Sequence, residues 1–256
     1  MGYPVGIDVG SASAEALILK DGKILAYSIL ETGANSRKAA EKALEEALKK
    51  AGLSRTEVGP IVATGYGRIS VDFASRQVTE ISCYARGINF LYPEVKMVID
   101  IGGQDSKAIL VGKNGRVLDF VMNDKCAAGT GRFLEVMAKA MEVKVEELGE
   151  ISLRSRNPAE ISNTCTVFAE SEVVSLIAKG VPVEDIAAGI HRAIARRVGA
   201  MARRIGVVPP VAFAGGVAKN VGVVKALEEE LGVKLIVPEE PQIIGALGAA
   251  LLATEE

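Results

Sequence analysis

The chain has 256 residues, contains no tryptophan, and is only 4% aromatic. Nucleic-acid bases are commonly held on aromatic stacking platforms, so this scarcity argues against a nucleic-acid partner. The net charge of -2 argues against it as well, because nucleic-acid-binding domains are strongly basic. No uncharged apolar run is long enough for a membrane span. We also expect no secretory signal peptide, since no apolar stretch follows a basic start.

Cysteine and histidine are also scarce. Three cysteines are too few for a disulfide framework, and His191 is the only histidine. We therefore expect a protein of the reducing cytoplasm. With 49% hydrophobic residues, the chain can bury the core of one large domain or two small ones.

A segment near the N-terminus recurs later in the chain. Each copy predicts a strand ending in Asp and Gly, a tight turn, and a hairpin closed by Asp-Gly or Asn-Gly, the strongest short hairpin signals. The matching residues are Asp8 with Asp100, Gly10 with Gly102, Ala16 with Ala108, and Gly22 with Gly115. The repeat predicts two similar lobes that hold a phosphate chain between them.

Alternating helices and strands follow each copy, which predicts mixed sheets covered by helices. The predicted helices include 36–51, which Gly52 ends, 77–91, and about 131–143. Pro93 marks the break between the copies. We predict an α/β fold with a first lobe at 1–92 and a second at 93–256, and we allow the C-terminal helix to pack back on the first lobe.

The repeated turns are suited to phosphate binding. Small residues let the backbone approach, and N–H groups and hydroxyls can donate to phosphate oxygens. A third glycine pair, between a strand and a helix, offers bare backbone and a helix N-terminus. The candidate segments are Gly10-Ser11-Ala12-Ser13, Gly102-Gly103-Gln104-Asp105, and Gly215-Gly216-Val217-Ala218-Lys219-Asn220. Ordinary hairpin glycines are the plainer interpretation of any one segment, but three together favour a nucleotide.

The two aspartates at the strand ends are candidates for holding hydrated Mg2+, which takes one or two carboxylates and keeps several waters. In this hypothesis Asp8 and Asp100 position Mg2+ and water, and Gln104 or Asp105 orients the attacking water. Phosphoryl transfer needs mainly positioning and electrostatics, so no dedicated nucleophile is required. The chain has no Gly-x-x-x-x-Gly-Lys-Ser/Thr loop and is not a P-loop protein.

Two of the cysteines precede predicted helices. Cys126 and Cys165 would both benefit from the positive end of a helix dipole, which favours thiolate. An anionic iron–sulfur cluster, a buried thiol pair and a disulfide all remain open from spacing alone. A [4Fe–4S] cluster takes four cysteines, so the simplest completion is a twofold dimer. Cys83 lies within a helical pattern and is interpreted as a small buried apolar residue.

The phosphate segments resemble the motifs of the acetate and sugar kinase, Hsp70 and actin superfamily. In that superfamily, ATP and Mg2+ lie in a cleft between two ribonuclease-H-like lobes. The cysteine segments are more specific and resemble the activator component of 2-hydroxyacyl-CoA dehydratases, in the BadF/BadG/BcrA/BcrD ATPase family. The segments that carry this resemblance are 125–133, 163–172, 63–68 and 241–246.

The resemblance implies a homodimer bridged by one [4Fe–4S] cluster, which Cys126 and Cys165 of each subunit hold. A ferredoxin or flavodoxin reduces it, and ATP binding and hydrolysis drive a low-potential electron to a partner iron–sulfur enzyme. The same resemblance adds Gly129, Thr130 and Gln242 to the residues that contact ATP or ADP.

The chain departs from the family pattern in its first phosphate turn. The family usually carries Thr or Ser after Ser11 and a Lys near position 15, where this chain has Ala12, Ala14 and Glu15. Tyr84 stands where relatives often have His. The partner is therefore open between a 2-hydroxyacyl-CoA dehydratase, a benzoyl-CoA-type reductase and a double-cubane cluster reductase. A small-molecule kinase and a polymerising scaffold ATPase of the same fold are the rival functions.

Overall fold

A computed structural model describes residues 2–255, so Met1 and Glu256, the outer ends of the two predicted lobes, lie outside it. The chain forms two five-stranded sheets with helices around them. The strands are β1 Tyr3–Val9, β2 Ser13–Lys20, β3 Lys23–Glu31, β4 Val58–Thr64, β5 Arg76–Gln77, β6 Met97–Ile101, β7 Ser106–Val111, β8 Val117–Asn123, β9 Val211–Ala214 and β10 Leu235–Ile236. The helices are α1 Ser36–Ala51, α2 Glu80–Leu91, α3 Gly131–Ala140, α4 Leu148–Ser152, α5 Thr166–Ala178, α6 Val183–Arg203, α7 Val221–Leu231 and α8 Ile244–Ala253.

The sheets have the same strand order pattern. The first is ordered β3-β2-β1-β4-β5 and the second β10-β9-β6-β7-β8. In the first sheet β2 runs antiparallel to β1, while β4 runs parallel to it. Each sheet thus begins with a three-strand meander and adds its later strands beyond the first strand of that meander. This is the architecture that the sequence repeat predicts.

The chain divides into two compact units. The first comprises Met1–Val98, Ile109–Asp119 and Glu239–Glu256, and the second comprises Ile99–Ala108 and Phe120–Pro238. No helix in 2–255 is both long and apolar enough to cross a membrane.

In the first unit, α1 and α8 cover opposite faces of the sheet because side chains alternate along each strand. Val5, Ile7 and Val9 of β1 pack with the alanine and leucine stripe of α1. Gly6 and Asp8 point the other way: a methyl group on Gly6 would overlap the backbone of α8. The strand end that carries Asp8 therefore faces α8.

The hairpin signals are confirmed in both copies. Asp21 and Gly22 have φ values of 49° and 70°, and Asn114 and Gly115 have 57° and 71°. Left-handed φ at both central residues matches the right-handed twist of a hairpin. In the second copy the turn is longer, because Lys113–Gly115 forms a short 3-10 helix.

Some predicted boundaries move. The predicted helix from Gln77 begins only at Glu80, because Gln77 pairs with Ala63 as part of β5. The predicted helix to Val143 ends at Ala140, and Glu142 adopts a positive φ just beyond it. Helix α4, which has only five residues, was not predicted.

Candidate nucleotide and cysteine site

The two phosphate turns have the same backbone geometry. The Gly10 N–H donates to the Ser13 carbonyl at 2.8 Å, and the Gly102 N–H donates to the Asp105 carbonyl at 3.0 Å. The sequence repeat matches these residues in pairs, so the duplication extends to individual hydrogen bonds. Each turn directly follows the strand that carries the aspartate.

Each aspartate lies against a glycine at the end of a neighbouring strand. Gly65 and Gly215 have φ values of 83° and 84°, and each begins a short 3-10 helix. A methyl group on Gly65 would overlap the Asp8 carboxylate and the Val9 carbonyl. On Gly215, it would overlap the equivalent atoms of Asp100 and its neighbour. Glycine is required at both positions by this close approach and by the left-handed φ.

In the first unit, Asp8 faces the start of α8. Its Oδ2 atom lies so close to Gly245 that a Cβ there would overlap it. The positive end of a helix dipole favours a carboxylate in this position. Gln242, just before α8, donates from Nε2 to the Ser13 hydroxyl at 3.4 Å. The structure thus brings the predicted Gln242 to the first phosphate turn.

In the second unit, a lysine that was not predicted to belong to the site joins two of the catalytic candidates. The Lys107 ammonium lies 3.0 Å from Asp100 Oδ2 and 2.9 Å from Asp105 Oδ2. Burial lowers the pKa of Lys107, but the two carboxylates raise it more, so its net shift is upward. The sequence repeat points to this lysine, because the repeat that matches Asp100 with Asp8 also matches Lys107 with Glu15.

The second phosphate turn also docks onto α3. The carbonyls of Gly102 and Gly103 each accept a hydrogen bond of 2.8 Å, from the Gly131 and Arg132 N–H groups. The Thr130 hydroxyl donates to the Ala127 carbonyl at 2.7 Å. Two N–H groups at the start of α3 therefore already have hydrogen-bond partners within the chain. The Gly129 position, with φ of 85°, lies against the Arg197 side chain.

Asn220 closes the third candidate segment by capping α7. Its Oδ1 accepts from the Gly222 and Val223 N–H groups at 3.0 and 3.1 Å. Its Nδ2 lies 3.3 Å from His191 Nε2 and must be the donor, because Oδ1 is already oriented toward the helix. Gly216 and Lys219 lie on the exposed side of this segment.

Cys126 and Cys165 come from distant parts of the sequence but occupy neighbouring segments. The Cys126 thiol lies 3.7 Å from the carbonyl oxygen of Thr164, the residue before Cys165. Asn123 holds the Cys126 loop by donating from Nδ2 to the Cys126 carbonyl at 2.8 Å. Both thiols are free and partly exposed.

The two cysteines differ in their relation to a helix. Cys165 is the N-cap residue of α5, as expected. Cys126 lies four residues before the N-cap of α3, Thr130, so the helix does not begin directly after it. Gly129, with its left-handed φ, turns the chain between Cys126 and the helix.

One polar group beside Cys165 is available to an anionic group. Thr166, the first residue of α5, has a buried hydroxyl with no hydrogen-bond partner in the described chain. Among residues 2–255, no three His, Cys, Asp or Glu side chains gather to hold a metal ion. Two thiols from one chain are half of the set that a [4Fe–4S] cluster takes.

Cys83 differs from the other two cysteines. It is buried in α2, and burial raises the pKa of its thiol to about 12. It packs with Val62 and with Ala249 of α8. This agrees with its interpretation as a buried apolar residue.

Comparison with known proteins identifies the family. Residues 5–253 match the model of the BadF/BadG/BcrA/BcrD ATPase family. The (R)-2-hydroxyglutaryl-CoA dehydratase activating ATPase of Acidaminococcus fermentans is 51% identical over 253 residues, covering 98% of this chain and 96% of the relative. The solved activator of the 2-hydroxyisocaproyl-CoA dehydratase from Clostridium difficile, with bound ADPNP, is 50% identical. Its TM-score is 0.94, and the match covers 99% of this chain and 94% of that one.

A more distant structure shares the fold alone. The ROK family glucokinase from Streptomyces griseus is 15% identical, with a TM-score of 0.62 over the full length of both chains. The predicted two-lobed fold of the sugar kinase type is thereby confirmed. The repeated turns, the paired cysteine segments and the match over almost the whole length lead to one assignment: the chain belongs to the BadF/BadG/BcrA/BcrD ATPase family.

Proposed function

We propose that the protein is an ATP-dependent electron-transfer activator. It acts as a homodimer with one bridging [4Fe–4S] cluster and delivers a low-potential electron to a partner iron–sulfur enzyme, such as a 2-hydroxyacyl-CoA dehydratase. Relatives named as dehydratase activators, about half identical over nearly the whole chain, support this role. Because its thiols need reducing conditions, we place the protein in the cytoplasm.

The observation that carries the proposal is the juxtaposition of the two cysteine segments. The Cys126 thiol lies within 3.7 Å of the carbonyl of Thr164, the residue preceding Cys165, which supports the proposal that both cysteines serve one group. Partial exposure suits a group shared with another subunit, which a buried thiol pair would not need. When bound, a [4Fe–4S] cluster supplies a site that accepts one electron from ferredoxin or flavodoxin and gives one to the partner enzyme.

The surface beside Cys165 supports a second subunit. Val167 and Phe168 are 65% and 67% exposed, although they directly follow the cysteine at the start of α5. Val174 and Ile177 continue the exposed apolar surface along the same helix. Apolar side chains gathered on one exposed helix mark an interaction surface. A twofold axis near Cys165 would cover this surface and supply the two missing cysteines.

We assign ATP and Mg2+ to the repeated turns. Asp8 and Asp100 would hold hydrated Mg2+, Gln104 or Asp105 would orient water, and the turns would contact phosphate oxygens. The remaining contacts would come from Gly10, Ser11, Ala12, Ser13, Gly102, Gly103, Gly129, Thr130, Gly215, Gly216, Lys219, Asn220 and Gln242.

The hydrogen bonds of the second unit offer a route from nucleotide to cysteine. The carbonyls of Gly102 and Gly103 hold the start of α3, and the N-cap of that helix holds the Ala127 carbonyl, next to Cys126. A change in the phosphate turn would therefore move the Cys126 loop through two consecutive contacts. Switches commonly work through such small shifts of packed elements.

The proposal is tested by anaerobic purification and reconstitution, followed by an absorption spectrum and an iron count. We expect a brown dimer with about four iron atoms. Cys126→Ser and Cys165→Ser should lose the colour and the iron, whereas Cys83→Ser is the matched control and should keep both. A colourless, iron-free dimer after reconstitution would contradict the proposal and favour a small-molecule kinase of the same fold.

A further inference from the structure

His191, the only histidine of the chain, contacts one end of the third candidate nucleotide segment. It lies in the middle of α6 and is 1% exposed. Its Nε2 atom lies 3.3 Å from the side-chain amide nitrogen of Asn220, the last residue of segment 215–220. The proposed ATP and cluster chemistry gives this buried imidazole no role.

The side chain of Asn220 has one orientation that satisfies its neighbours. Its Oδ1 atom accepts from the Gly222 and Val223 N–H groups at 3.0 and 3.1 Å, so it caps α7. The amide nitrogen therefore points to His191, and because an amide nitrogen can only donate, the imidazole Nε2 accepts. Burial lowers the pKa of His191 to about 3, so the ring is neutral and its one N–H proton lies on Nδ1.

Helices α4, α6 and α7 enclose this contact. A methyl group on Gly222 would overlap both Ser152 Oγ of α4 and His191 Nδ1 of α6, so these two polar atoms lie against the first turn of α7. A methyl group on Gly149 of α4 would lie only 2.9 Å from Asn220 Oδ1. The close approach at both glycines holds Asn220 and His191 in one arrangement.

The other end of segment 215–220 is fixed as well. Gly215 lies against Asp100, where an added methyl group would overlap the carboxylate. Between Gly215 and Asn220 the backbone forms a short 3-10 helix. The segment is thus held at Asp100 by its first residue and at His191 by its last.

We propose that His191 is a positioning residue for nucleotide binding, which acts by holding Asn220 and, through it, the segment that receives the nucleotide. Without an acceptor at position 191, the partly buried amide of Asn220 has an unsatisfied donor and turns toward another partner. The cap of α7 is lost with that turn, and the exposed backbone at Gly216 changes direction. This role rests on the proposed function, whereas the contact between the two side chains does not.

A 15N NMR spectrum of the nucleotide-free protein tests the contact. Because the chain has one histidine, it gives one pair of imidazole nitrogen signals. We expect a protonated Nδ1 and an unprotonated Nε2 that accepts a hydrogen bond. Asn220→Ser keeps a cap for α7 but removes the amide donor, so the Nε2 signal should shift to that of a free acceptor. A proton on Nε2 in the wild type, or a signal that does not move in the variant, would overturn the proposal.

The dissociation constant of Mg2+-ADPNP tests the positioning role. His191→Leu should raise it roughly tenfold, as expected for one lost hydrogen bond. His191→Gln keeps an acceptor and should stay within about threefold of the wild type. The matched control Ile186→Ala removes a buried side chain on another face of α6 and should leave the constant unchanged, although it lowers stability. Adding His191→Leu to Asn220→Ser should weaken binding no further, because both changes remove the same contact.

The outcomes separate the positioning role from the nucleotide function. An equal loss of affinity in Ile186→Ala, additive losses in the double variant, or wild-type affinity in His191→Leu would overturn the positioning role alone. If His191→Leu does not fold, Asn220→Ser tests the same contact from its other side, and wild-type affinity in that variant would overturn the role. A wild type that binds no ADPNP would overturn the nucleotide function and the positioning role together.

Discussion

His191 should make the stability of the protein depend on pH in a way that a single substitution can remove. The imidazole is 1% exposed in α6, and burial lowers the pKa of His191 from 6.5 to about 3. Its Nε2 accepts from Asn220 Nδ2, and its Nδ1 has no hydrogen-bond partner in residues 2–255. A neutral ring therefore suits the folded state, and the unfolded chain takes up the proton more readily.

The sign and size follow from this difference. Because the folded pKa lies below the unfolded value, the stabilising contribution is complete above about pH 6.5 and is lost as the pH falls toward 3. At about pH 5 the loss amounts to roughly 2 kcal/mol, and it approaches about 5 kcal/mol below pH 3.

The substitution is His191→Gln, which retains a side-chain acceptor but cannot be protonated in this range. Urea unfolding at about pH 7.5 and pH 5 should show the wild type losing roughly 2 kcal/mol more than the variant. The lone histidine also gives one imidazole NMR signal, which should not titrate between these pH values in the folded protein. Parallel stability curves, or a titration near pH 6.5, would refute the reasoning.

Three further predictions concern buried charge, close packing and thiol reactivity. Lys107→Met should destabilise the protein by about 3–5 kcal/mol, because Asp100 loses its buried cation. Chemical denaturation would measure this, with Lys113→Met at an exposed site as the control. A loss of stability as small as that of the control would contradict the prediction. Gly215→Ala should lower the melting temperature more than Gly180→Ala. Both glycines have a left-handed φ, but only at Gly215 would the added methyl group overlap other atoms. Equal effects would show that the packing around Gly215 is loose. In the native cluster-free protein, iodoacetamide should modify Cys126 and Cys165, which are partly exposed, before it modifies the buried Cys83. Mass spectrometry of peptides would show the order, and rapid labelling of Cys83 would contradict its burial.

The sequence was most informative where local rules determine the structure. Helix α1 was predicted with its correct ends, because its alanine and leucine stripe has helical spacing and Gly52 takes a left-handed φ directly after it. The Asp21-Gly22 turn was predicted for the same kind of reason. The start of α2 was misplaced because Gln77 joins a parallel strand, and parallel pairing has no local signal.

The site was predicted in its parts but not in its contacts. The repeat identified Asp8 and Asp100, yet the glycines that enclose them come from distant strands and helices, at Gly65, Gly215 and Gly245. The contact of Cys126 with the Thr164 carbonyl likewise depends on tertiary packing. Such approaches depend on which elements lie side by side, which residue spacing alone does not encode.

The central claim is that ATP drives an electron from this protein to a partner enzyme. The most direct test is to mix the reduced, reconstituted dimer with an oxidised 2-hydroxyacyl-CoA dehydratase and to follow cluster oxidation by electron paramagnetic resonance. The account predicts that one electron leaves each dimer only when Mg2+-ATP and the dehydratase are both present, and that Cys126→Ser transfers none. Oxidation at an equal rate without ATP, or ATP turnover that phosphorylates a small molecule and leaves the dimer reduced, would contradict it.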